Sequence, residues 1–153
     1  MLFLLLEIGS DRYALEAGRI VEVLPLVGMK RIPHAAQGVA GAFDYHGTAV
    51  PAIDLSELAI GRAAPNRLST RVVVTDFTDA RGGTGLLGLI AERATETVRL
   101  EAADFAEFGL SNGSAPYLGP VTRGPRGLIQ RIDVDRLVPQ AVRDLLFAPG
   151  GPR

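Results

Sequence analysis

Gly41-Ala42-Phe43-Asp44-Tyr45-His46-Gly47-Thr48-Ala49-Val50-Pro51-Ala52-Ile53-Asp54-Leu55 decides the fold, because it reads as two short strands joined by a sharply specified turn. Asp44 to Gly47 carry the turn chemistry, and Thr48 to Ile53 is a β-branched and apolar run. Pro51 lacks a backbone N–H, so this second strand is expected at an edge or a bulge. Asp54 is expected to end it and to cap the turn that follows.

The same pattern extends outward in both directions. Towards the N-terminus, Phe3–Ile8 and Tyr13–Leu15 flank Gly9-Ser10-Asp11-Arg12, a hairpin, and Ile20–Leu26 is a further strand limited by Pro25. Val27–His34 reads as a loop whose Lys30-Arg31 pair is a solvated surface. Towards the C-terminus, Ser56–Leu58 is one helical turn, and the small and polar residues near 61–70 mark a boundary between two halves. Arg71–Phe77, Leu86–Ala91 and Ala94–Leu100 are three strands, and Tyr117–Thr122 with Gly127–Ile132 form a last hairpin around Arg123–Arg126. Residues 101–115 are irregular. Asp133 or Asp135 caps the next turn, Pro139–Phe147 is a short amphipathic helix, and 148–153 is a flexible tail. About ten short strands indicate small barrels or a sandwich.

Composition narrows the function. The 153 residues fit one domain with a sizeable core, and the absence of cysteine excludes thiolate catalysis and disulfide scaffolds. Sixteen basic and 17 acidic residues give a net charge of −1 with no block of one sign, which disfavours generic nucleic-acid binding. Met1–Leu6 is apolar, but six residues cannot span a bilayer and Glu7 follows. It is expected as a buried strand, with no membrane insertion.

Catalytic and cofactor chemistry finds little footing. Gly82, Gly83 and Gly85 lack the lysine-Ser/Thr ending of a phosphate loop, and none of Ser10, Ser56, Ser69, Ser111 and Ser114 lies in a nucleophile elbow. His34, Asp44 and His46 are the candidates for a divergent enzyme or metal site, although their spacing matches no metal motif. A barrel holding an apolar ligand is a further alternative, disfavoured because five-stranded barrels fill with side chains. No cofactor is expected.

In order and spacing, these motifs resemble the CheW family, the coupling proteins of bacterial chemosensory arrays. The resemblance rests on Phe3–Gly9 with Tyr13 and Leu15, on Ile20–Val23, and on Gly41, Gly47, Pro51, Asp54 and Leu55. It continues through Leu86–Glu92 and Leu128–Leu137. It implies an all-β fold over residues 1–147: two five-stranded SH3-like barrels sharing a hydrophobic core, plus a short C-terminal helix. It further implies a cytoplasmic, non-enzymatic adaptor joining the tip of a chemoreceptor to the regulatory domain of a CheA-like histidine kinase at receptor arrays. Ile20, Glu22, Val23, Gly41, His46 and Gly47 are the protein-binding candidates it indicates. His46 stands where the family generally carries arginine, and two readings are open for it: a Glu22–His46 hydrogen bond in place of an arginine pair, or a simply exposed turn residue.

Overall fold

Phe3, Leu4, Leu5 and Leu6 are all buried, and they are apolar at consecutive positions because their strand has a hydrophobic core on each face. This strand, β1 (Leu2–Ile8), opens a computed structural model that describes residues 1–78, 83–107 and 115–137. It is followed by β2 (Asp11–Glu16), a 3-10 turn at Ala17–Arg19, β3 (Ile20–Pro25), β4 (Val39–Tyr45), β5 (Thr48–Asp54) and helix α1 (Leu55–Ile60). Then come β6 (Arg71–Thr78), β7 (Thr84–Arg99), β8 (Leu118–Gly124) and β9 (Gly127–Ile132), with further 3-10 turns at Ala102–Asp104 and Val134–Arg136.

The strands form two barrels that share β7. In the central barrel the order is β3-β6-β7-β5-β4, and a bridge between Lys30 and Ala42 joins its far edge to the segment after β3. In the terminal barrel the order is β7-β1-β2-β9-β8, with a bridge between Ala106 and Val121. Each barrel therefore has five strands. Residues 61–70 join α1 to β6 inside the central barrel, and the chain passes between barrels at 17–19 and within β7.

Three apolar clusters match this layout. Phe43, Val50, Ala52, Val72, Val74 and Ile90 fill the central barrel, and Phe3, Leu5, Ala14 and Ile129 fill the terminal one. Between them, Leu4, Leu6, Ile8, Leu15, Ile53, Val73, Phe77, Leu87, Leu89 and Ile132 form a common core. Alternation does the sorting: Val72 and Val74 point into a barrel, Val73 and Phe77 into the shared core. Side chains occupy both interiors, as expected of barrels this small.

Several local expectations change. Leu86–Ala91 and Ala94–Leu100, read as separate strands, merge into one strand of 16 residues that ends at Arg99. Glu92 and Arg93 lie at an irregularity, where β7 gains residues over β1 between Glu7–Glu92 and Leu5–Glu96, and where Arg93 takes a φ of 52°. The first hairpin turns tightly at Gly9-Ser10, since Ile8 already pairs with Asp11. β5 is an edge only in its first half: β4 flanks it along its length, with a register shift opposite Ala52 and Ile53, and β7 pairs with it in parallel from Ala52 onward. Pro51 falls just before that parallel pairing begins, where its missing N–H breaks no bond to β7. The expected helix at Pro139–Phe147, the tail 148–153, Gly82, Ser111 and Ser114 lie outside the described residues.

Candidate functional site

The tip of the β4–β5 hairpin is a two-residue turn, since Tyr45 pairs with Thr48 across His46 and Gly47. Both turn residues have positive φ, 50° and 87°, as such turns require, and Asp44 Oδ1 accepts the Gly47 N–H at 2.8 Å. Asp44 is thereby committed to the turn. His34 is exposed on the separate loop before β4, and no group of three His, Asp or Glu side chains among the described residues is placed to hold a metal.

Glu22 reaches this tip from the regular part of β3, which a bulge separates from Ile20. Ile20 opposes Thr75 and Glu22 opposes Val74, so Val21 is the extra residue. Opposed residues share a face, so Glu22 and Leu24 lie on the side of Val74 and Val72, over the central barrel. Ile20 instead packs against the shared core, and Val23 lies on the face of Val73. One inserted residue thus changes which core each side of the strand addresses. Val21 and Val23 remain exposed, at 49% and 37%.

Among the expected site residues, Glu22, His46 and Gly47 are brought together, with Val23 on the opposite face of β3. Gly41 is buried: its φ is 140°, and a Cβ there would overlap the Lys30 carbonyl oxygen, so it serves the barrel-closing bridge rather than a surface. Ile20 is partly buried against the shared core.

The Glu22–His46 hydrogen bond is absent. His46 Nε2 stands 3.7 Å from Glu22 Oε1, beyond hydrogen-bond reach, on a side chain 76% exposed. The bond to Glu22 comes from Tyr45, whose Oη donates to Oε1 at 2.7 Å. This hydrogen bond raises the Tyr45 pKa above its ordinary 10.0, because the carboxylate favours the protonated phenol. The Tyr45 ring packs edge-on against His46 at 4.4 Å and against Phe43 at 6.4 Å, extending the central core to the turn. Sequence reasoning passed over Tyr45. The available signal was its place two residues after Phe43, which puts an aromatic body on the barrel side with a hydroxyl needing a partner.

A second polar cluster fixes one barrel against the other. Arg19, between β2 and β3, donates to Asp135 Oδ2 and Oδ1 at 3.0 and 2.6 Å, to Asp76 Oδ1 at 2.8 Å and to the Asp76 carbonyl at 3.0 Å. The bond to Asp135, against the opposing effect of burial, and then that to Asp76 hold its pKa above the usual guanidinium value. Asp135 also accepts the Thr78 N–H at 2.9 Å, while the turn after β9 is capped by Asp133. On the other flank of the hairpin, Lys30 and Arg31 are exposed, as expected, and line an open cleft with Ile32, Pro33, Phe43 and Ala49.

The CheW-like domain family model matches residues 2–142, taking in both barrels. The chain belongs to the CheW-like domain family. Chemotaxis protein CheW of Helicobacter pylori is 30% identical over 98 residues, which cover 63% of this chain and 56% of that protein. The match thus spans little more than half the length of this curated relative. The crystal structure of scaffolding protein TtCheW from Thermoanaerobacter tengcongensis superposes with a TM-score of 0.80 at 16% identity, over 95% of this chain and 92% of that one. That likeness establishes the two-barrel fold. Among the described residues, no helix is long and apolar enough to cross a membrane.

Proposed function

We propose that the chain is a non-enzymatic adaptor that couples the cytoplasmic tip of a chemoreceptor to the regulatory domain of a CheA-like histidine kinase. The family match across both barrels carries this reading, because such a coupler needs two docking surfaces and a rigid body between them. The relatives add to it, one being described as a chemotaxis protein and the other as a scaffolding protein. In this reading the adaptor is cytoplasmic and is drawn to receptor arrays at the inner face of the membrane.

The receptor side is assigned to β3 and the β4–β5 tip. Val21 and Val23 offer apolar contact there, beside the polar rim of Glu22, Tyr45, His46 and Gly47. Apolar contact with a polar rim is the usual composition of a surface that accepts a helical partner. Ile20 packs against the shared core and Gly41 serves the Lys30–Ala42 bridge. The shared core and the Arg19 cluster keep the two barrels in one orientation, so that a load on one surface reaches the other.

Purified chain mixed with the receptor-tip hairpin and the kinase regulatory domain from the same cell should elute as a ternary complex in size-exclusion chromatography. Failure to bind either component would overturn the assignment.

A further inference from the structure

We propose that Tyr45 is the positioning residue of the receptor-docking face: its hydroxyl latches the hairpin tip to β3 and turns the Glu22 carboxylate towards the partner. This deepens the adaptor reading and rests on it.

β3 and β4 are the two ends of the central barrel's strand order, and no ladder pairs them among the described residues. The Lys30–Ala42 bridge ties β4 to the segment after β3, away from the hairpin tip. At the tip, the polar contacts across the seam among the described residues are the 2.7 Å bond from Tyr45 Oη to Glu22 Oε1 and the longer approach of His46. Glu22 shares the face of Leu24, Val74 and Val72, the barrel side that the Tyr45 ring covers, and this makes the bond possible.

The latch also leaves chemistry for a partner. Both Tyr45 and His46 address Oε1, while Glu22 Oε2 has no hydrogen bond among the described residues. A carboxylate accepts several hydrogen bonds, so Oε2 is presented, with its orientation fixed, to a donor on the docked helix: an arginine, a lysine or a side-chain amide. Pre-orientation lowers the ordering cost of that contact. His46 cannot supply the same restraint from 3.7 Å with a largely exposed ring.

Two measurements test this. Without any partner, NMR titration should show the Tyr45 phenol ionising at lower pH in Glu22→Ala than in the wild type; an unchanged titration would overturn the latch. With the receptor-tip hairpin as titrant, calorimetry should show Tyr45→Phe binding about five- to tenfold more weakly than wild type. In the Glu22→Ala background the same substitution should change affinity less than about twofold. An equal loss in both backgrounds would overturn the positioning role and leave Tyr45 as packing alone. Absence of wild-type binding would overturn the adaptor reading and the docking role together, whereas the phenol titration would still decide the latch.

Discussion

Gly41 and Gly47 answer different demands with the same residue type. Gly41 has a φ of 140° and no space for a Cβ beside the Lys30 carbonyl, so Gly41→Ala should destabilise the chain by about 2–3 kcal/mol in chemical denaturation. At Gly47, φ is 87° and nothing lies within 4 Å of the place a Cβ would take, so Gly47→Ala should cost only about 1 kcal/mol, the strain of the backbone region itself. A Gly41→Ala no worse than Gly47→Ala would mean that the close approach is not maintained in solution. At Tyr45 the folded-state pKa is raised, so the latch is complete below the ordinary phenol value of 10.0 and is lost as pH rises through the folded value. Receptor-tip affinity should therefore not fall through loss of the latch between neutrality and about pH 10, and should decline above it as the phenol ionises. The turn itself was legible in Asp44-Tyr45-His46-Gly47, because positive φ and an aspartate cap are local chemistry. The Glu22 partner was not, since the choice between Tyr45 and His46 depends on where a strand more than 20 residues earlier, paired with β6, points a carboxylate.

Among the elements, α1 shows how one side chain sets a boundary. Asp54 Oδ1 accepts the Ser56 and Glu57 N–H groups at 3.0 and 3.2 Å, and Oδ2 accepts the Ala64 N–H at 3.0 Å. Asp54→Ala leaves these donors without it in a buried setting, and should cost about 2 kcal/mol in thermal or denaturant unfolding. The expectation that Asp54 ends its strand and caps the next turn was met because N-capping is written within three residues of sequence. Arg19 is the opposite case, since its partners lie 57 and 116 residues away. Its side chain is 25% exposed, and Arg19→Ala should destabilise by about 2 kcal/mol, with Arg19→Lys recovering only part because lysine lacks the planar fork. A fully restored melting temperature in Arg19→Lys would show that charge alone, not the fork, joins the barrels.

Over the whole molecule, the shared strand β7 and the common core predict that the two barrels do not unfold independently. Leu89 is fully buried in that core on β7, pairing with Val73 on one side and Ile53 on the other. Leu89→Ala should cost about 3 kcal/mol and shift the whole transition. Tyr45 in the central barrel and Tyr117, packed in the shared core, should report coincident unfolding; separated transitions would refute the single core. The sequence by itself determined the run of short strands, the tight turns, the helix cap and the family pattern, because each depends on neighbours a few residues apart. Only the tertiary structure decided that Leu86–Ala91 and Ala94–Leu100 merge into one strand, that both ends of the described chain build one barrel, and that Tyr45 holds Glu22. Those outcomes depend on bulges and long-range pairing, where a shift of one residue exchanges the faces of a strand and with them its partners.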